Sequence, residues 1–319
     1  MQKKQDLVQF EERPVARALD MASLIDDFLD AQDIRPISKR LYRVGVETFL
    51  SWLSKEGVEQ PARGDVLRFK DHLRSRDLAA NSINCYLVGV SRFFSYLESE
   101  RLYPDITRNV KGVRQPTKHL REILTTEQVW KVLESVDTSS LLGKRNYAML
   151  NVMVSTGLRT ISIISADLGD LRPSGQEARL AYKNKGSEAK DEAVLIVEHV
   201  LKSLTAYLKA RGKARPDLPL FASQDGGRLT TKTVRSIVKD LLRKNGIDDP
   251  RLSAHSLRHT FATHALRSGA PLLNVSKALG HASITTTMIY VHQLDRMGEG
   301  AAERFIDYRP QQDSALNSQ

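Results

Sequence analysis

Two arginines, one lysine, two histidines and one tyrosine stand in the order Arg159, Lys185, His255, Arg258, His281, Tyr290, at places where packing is not the obvious reason for them. Arg159 closes "STGLR", just past Gly157 at the end of an apolar helix, where alone it would neutralise the helix C-terminus. Lys185 lies in the hairpin arm "YKNKGSEAK", with Lys183 and Lys190 as competitors for any role given to it. Ser253 caps "AHSLRHTFATHAL", which places His255 and Arg258 in the first two helical turns, on neighbouring parts of one face. Free backbone N–H groups there favour an anion. Pro271 begins another helix, Gly280 stops it, and His281 follows on the turn. Ser283 then caps a helix carrying Tyr290, which could be a packed residue or a nucleophile.

Together these groups suit attack on a phosphodiester. Negative charge builds on the non-bridging oxygens, and the fixed fork of an arginine binds two oxygens at once. A tyrosine hydroxyl, with an ordinary pKa of about 10, needs positive charge or a base nearby before it attacks at neutral pH. The departing oxygen needs a proton, which a hairpin lysine could supply. Such a site requires no metal, and the sequence has no carboxylate cluster to hold one.

Bulk properties agree with a polyanionic partner: 48 Lys+Arg against 38 Asp+Glu give a formal charge of +10 in 319 residues. Cys85 is the one cysteine, which excludes an internal disulfide and a thiolate metal cluster and fits a reducing cytoplasm. The start "MQKKQDLVQFEERP" has no signal-peptide core and no apolar run is long enough to span a bilayer, so a soluble intracellular protein is expected, without a membrane partner.

The elements that must position these groups follow from periodicity. Residues 1–20 read as a loose polar arm. From 21 to 107 four amphipathic helices are predicted, with Asp65 as an N-cap before "VLRFKDHLRSR", forming a small all-helical domain. Its polar faces carry Lys39, Arg40, Arg43, Arg68, Lys70, Arg74 and Arg92, each of which singly reads as a solvated surface residue. Residues 108–122 read as a basic interdomain linker, with Arg108, Lys111, Arg114 and Lys118 suited to a phosphate backbone. From 123 to 296 helices alternate with one β-hairpin turning at Gly186-Ser187, giving a mostly helical α/β domain with a small antiparallel sheet. The tail, 297–319, contains "MGEGAAERFIDY", amphipathic enough to dock on a neighbouring subunit or its own domain through Phe305 and Ile306.

"TGLR", the hairpin lysine, "HSLRHTFATHAL", "LGH" and "TTTMIYVH" resemble, in order and spacing, the signature of tyrosine recombinases of the phage-integrase and Xer class. "NSINCYLVGVSRFFSYLESERLYPD" resembles the SAM-like core-binding domain of the same family. The resemblance implies the DNA breaking-rejoining enzyme fold and a cytoplasmic, nucleoid-acting enzyme using neither metal nor ATP nor any other cofactor. Tyr290 would attack the scissile phosphate and form a 3′-phosphotyrosine; Arg159 and Arg258 would bind its oxygens, His255 would assist proton transfer and His281 would support the phosphate. Lys185 would be the general acid, since "NKGSEAK" best matches the family hairpin. The expected partners are duplex DNA with inverted-repeat half-sites and a tetramer on two sites, of one chain or with a paralogous recombinase. Residues 1–20 are too short for the additional arm-binding domain of some integrases, which points to the simple two-domain type. One departure stands out: Ser162 occupies a position that is often acidic, so another group buttresses the site or preorganisation falls to DNA and partner subunits.

Two rival readings exist. A helix-turn-helix regulator fits the shape of 271–293, but "SITTTMIYVHQ" has no Arg, Lys, Asn or Gln before Gln293 with which to read base edges. A zinc hydrolase fits His255 and His259 at i,i+4, but lacks the glutamate of HExxH.

Overall fold

The long apolar stripes predicted between residues 21 and 107 fold into four helices: α1 (Leu24–Asp30), α2 (Pro36–Lys55), α3 (Arg63–Ser75) and α4 (Ala80–Ser99). A computed structural model describes residues 21–114, 122–183 and 189–296. The chain divides into two compact units, residues 1–119 and 120–319. The core of the first unit is aromatic: Phe28, Phe49, Phe69, Phe93 and Phe94 are fully buried. Phe49 meets Phe69 and Phe94 edge-on, with centroids 5.0 and 6.0 Å apart, the arrangement that ring quadrupoles favour.

Helices α2 and α4 cross at a reciprocal pair of glycines. A Cβ on Gly45 would meet the Tyr86 carbonyl oxygen at 2.8 Å, and one on Gly89 would meet that of Tyr42 at 2.9 Å. The obstacles are backbone, so neither can turn aside. Gly89→Ala should therefore destabilise this unit by about 1–2 kcal/mol, overpacking outweighing the roughly 1 kcal/mol gained in helix propensity. Urea denaturation measures it, and an unchanged or higher midpoint would contradict the close crossing.

Two expectations change here. Helix α3 begins at Arg63, so Asp65 is not its N-cap but a first-turn residue whose carboxylate accepts from the Ala62 N–H at 2.7 Å and pairs with Arg68. The start of the stretch read as a linker is held down: Asn84 donates to the Val113 carbonyl at 2.9 Å and accepts from its N–H at 2.7 Å. Lys70 caps the Lys111 carbonyl at 2.8 Å.

The second unit contains α5 (Thr126–Glu134), α6 (Leu141–Thr156) and α7 (Thr160–Ser165), then strands β1 (Leu171–Ser174), β2 (Glu177–Tyr182) and β3 (Glu192–Ile196). Helices α8 (Glu198–Arg211), α9 (Thr231–Lys244), α10 (Ala254–Arg267), α11 (Leu272–Ala278) and α12 (Thr285–Arg296) follow. The fold is mainly α with a small antiparallel sheet of order β1-β2-β3. Its register pairs Leu171 with Leu180 and Tyr182 with Glu192, so the excursion 183–191 carries all three candidate lysines. The predicted hairpin is β2–β3; β1 was not expected. Helix α6 is buried almost all round, with Ala148, Met149, Leu150, Val152 and Met153 inside, which is why its apolar residues show no single stripe. The arm 1–20, the turn at Gly186-Ser187, Lys185, Lys118 and the tail with Phe305 and Ile306 lie outside the described residues.

Candidate active site

The site starts at the end of α6. Gly157 caps that helix with φ of +64°, a left-handed conformation that costs other residues but not glycine. It also needs the space: a Cβ there would lie 2.4 Å from Phe261 and 2.8 Å from Leu279. The turn presents the Gly157 carbonyl to α10 and sends the chain through Arg159, which sits in extended geometry as the N-cap residue of α7. Arg159 is thus at the start of a new helix rather than serving only the end of the old one.

Arg258, on α10, is 3% exposed and fixed by three acceptors. It donates to the Gly157 carbonyl at 2.8 Å, to the Leu279 carbonyl at 2.7 Å and to His281 Nε2 at 2.8 Å. A guanidinium has five N–H donors, so these three fix its plane and leave two for other partners. Burial, and then the nearby Arg159, lower its pKa to about 10, while the Tyr290 and Tyr182 hydroxyls favour its charge. It remains a cation at neutral pH.

His281 follows the Gly280 turn as expected. Arg258 can only donate, so Nε2 of His281 accepts, and the ring proton is on Nδ1, which donates to Thr287 Oγ1 at 2.7 Å. Burial, then Arg258 and Arg159, push its pKa down to about 4. His281 is therefore a neutral prop for the arginine near pH 7. Thr287, the third of the consecutive threonines, is fully buried to receive that proton, and nothing in helical periodicity marked it out from its neighbours.

Tyr290 is 2% exposed and packs with Ala262, Val275 and Leu279. Its hydroxyl is not in an apolar slot: Oη lies 2.8 Å from His259 Nδ1 and acts on the Arg258 guanidinium. His255, exposed one turn earlier on α10, sets its ring edge-on against His259 with centroids 4.6 Å apart. Sequence reasoning considered His259 solely as half of a metal pair; its contact with Tyr290 depends on how α10 and α12 rotate against each other. Tyr182, at the end of β2, was also missed. Its hydroxyl is buried without a hydrogen-bond partner among the described residues, and Arg258 and Arg159 both act on it.

Two of the three candidate lysines, Lys183 and Lys190, lie among the described residues. Lys190 is bound to Asp167 and Asp170, and these hydrogen bonds outweigh the effect of burial and raise its pKa. It serves the foot of β3 and is poorly placed to surrender a proton. Ser162, where the family is often acidic, is 1% exposed and donates to the Lys183 carbonyl at 3.1 Å, tying α7 to the other foot of the excursion. A carboxylate there would meet that carbonyl oxygen without a proton to share.

In the first unit, Lys39 pairs with Asp30, Arg43 with Asp26 and Glu47, and Arg108 with Glu98. Arg40, Arg92, Lys111 and Arg114 are exposed and have no carboxylate partner among the described residues. Among the described residues no helix is long and apolar enough to cross a membrane, and no group of three or more His, Cys, Asp or Glu could hold a metal ion.

Residues 122–297 match the model of the phage integrase family, and residues 24–101 match that of the phage integrase N-terminal SAM-like domain. The tyrosine recombinase XerD of Pseudomonas putida is 35% identical over 282 residues, covering 84% of this chain and 92% of that one. The chain belongs to the phage integrase family. The chain is also 34% identical over 184 residues to the tyrosine recombinase XerC of Actinobacillus pleuropneumoniae, a match covering 57% of the chain and 58% of that relative. A similar fold occurs in the XerH site-specific recombinase bound to palindromic difH substrate in a post-cleavage complex, with a TM-score of 0.72 at 24% identity, covering 90% of this chain and 85% of that one. A lambda integrase dimer bound to a core site gives a TM-score of 0.64 at 16% identity, covering 83% and 96%.

Proposed function

We propose that this chain is a site-specific DNA recombinase that cuts and rejoins DNA through Tyr290. The observation that carries the reading is the meeting of the Tyr290 hydroxyl with the buried, charged Arg258, with Arg159 and neutral His281 beside it. A phosphodiester held by the two guanidiniums gains a preorganised counter-charge where its non-bridging oxygens become more negative. Tyr290 Oη forms a bond to phosphorus, the bond from phosphorus to O5′ breaks, and a 3′-phosphotyrosine and a free 5′-hydroxyl result. The leaving O5′ takes a proton from the hairpin lysine; Lys185 is assigned that part, since Lys190 is held by Asp167 and Asp170. Attack by a 5′-hydroxyl on the phosphotyrosine reverses the steps. The ester linkage is conserved throughout, so the exchange needs no ATP.

The similarity to the tyrosine recombinases XerC and XerD and a formal charge of +10 support DNA as substrate. We assign inverted-repeat half-sites, a tetramer on two sites formed by this chain alone or with a paralogue, and action in the cytoplasm on chromosomal or mobile-element DNA. The exposed Arg40, Arg92, Lys111 and Arg114 are the strongest candidates for phosphate contacts from the first unit. His255 assists proton transfer during the reaction.

The test is a nicked suicide substrate built from candidate sites in the flanking genome, incubated in chelator. The expected product is a covalent protein–DNA adduct whose phosphotyrosyl peptide contains Tyr290. Absence of an adduct on every candidate site that the protein binds, or an adduct on another residue, would overturn the reading.

A further inference from the structure

We propose that His259 is a catalytic residue of this integrase: its Nδ1 takes the Tyr290 proton as the phenol oxygen attacks phosphorus. The inference rests on the recombinase reading and adds to it the group that activates the nucleophile. His259 is 3% exposed, follows Arg258 directly on α10, and places Nδ1 2.8 Å from Tyr290 Oη. That is hydrogen-bond reach of the reacting atom itself, the first requirement of a general base. Adjacent residues on one helix therefore divide the work: Arg258 turns to the Gly157 and Leu279 carbonyls and His281, while His259 turns to the nucleophile. His255, the neighbouring histidine, is exposed and sets its ring edge-on against that of His259.

The balance is simple. The O–H bond of Tyr290 breaks as the bond from Oη to phosphorus forms; the proton goes to Nδ1, and His259 becomes an imidazolium. The electron pair of the departing bond goes to O5′, which is protonated by the hairpin lysine. Beside the pair stand His255, on the same helix, and Arg258, which in turn faces Arg159, Tyr182 and His281.

The test is single-turnover cleavage of the suicide substrate across pH, using wild type and His259→Asn. Asparagine can keep a polar atom near the Nδ1 position but cannot take up a proton. Cleavage by His259→Asn should slow about 10²–10⁴-fold at neutral pH, with half-site binding and melting temperature near wild type. Replacing Tyr290 by a fluorotyrosine of lower pKa should restore much of that loss. In wild type the same replacement should leave the acid limb of the pH–rate profile in place, because the limb belongs to His259; this readout needs no variant of His259 to fold. Cleavage by His259→Asn within about threefold of wild type with the same limb would overturn the assignment, as would a limb that moves with the phenol. An adduct made by wild type in either case separates failure of this assignment from failure of the recombinase reading.

Discussion

Tyr290→Phe is expected to bind its DNA site as wild type does and to form no covalent adduct. Phenylalanine keeps the ring that packs against Ala262, Val275 and Leu279. It removes the hydroxyl that meets His259, leaving a buried ring nitrogen with one partner fewer, a cost of about 1–3 kcal/mol. Cleavage should fall by about 10⁴-fold or more, the scale on which an enzyme loses its nucleophile. Residual cleavage near wild type would remove Tyr290 from the chemistry. Gel-shift affinity and melting temperature, measured on the same preparation, separate lost chemistry from lost fold.

Arg258→Lys should be nearly as damaging although it conserves charge. The guanidinium spans acceptors in three places, Gly157, Leu279 and His281, and a single ammonium cannot reach them in that planar arrangement. Cleavage is expected to fall about 10²–10³-fold, the usual cost of removing an aligned donor from developing charge. Melting temperature should fall as well, because two buried carbonyls lose their partner. Cleavage within tenfold of wild type would mean that charge alone suffices. The wild-type protein adds a pH signature through the same group. The pKa of His281 is about 4 in the fold, below its ordinary value, so its contribution to stability is complete above about pH 6.5 and is lost as pH falls toward 4. Melting temperatures across that window should show the loss, and Thr287→Val should alter it by removing the acceptor of the Nδ1 proton.

Much of this was legible in the chain because it is written in local patterns. Stripes such as Ile83, Leu87, Val90, Phe94 and Leu97 specify a helix whatever lies opposite. Ser253 caps α10 as its position suggests, its hydroxyl accepting from the His255 N–H at 3.3 Å. What escaped was set by tertiary placement. Strand β1, "LRPS", has a proline, an exposed surface and four residues, so neither alternation nor β-branching announced it. Helix α7 is barely a turn and a half and holds Ile161, Ile163 and Ile164, residues that favour strands out of context. Asp65 looked like a cap because the residue type suits both the cap and the third helical position, and the choice was made by where Ala62 and Arg63 fold. Within the site the motif residues stood out in sequence, whereas His259, Thr287 and Tyr182 acquire their places when α10, α12 and β2 come together.

Arg258 is held largely by main-chain oxygens, and this decides which substitutions reach it. Replacing the side chain at Leu279 leaves the oxygen that Arg258 grips, whereas a change that bends the backbone at Gly157 or Gly280 moves it. The grip lies wholly within the second unit, on Gly157, Arg258, Leu279 and His281. Tolerance to substitution there is set largely by the course of two short turns.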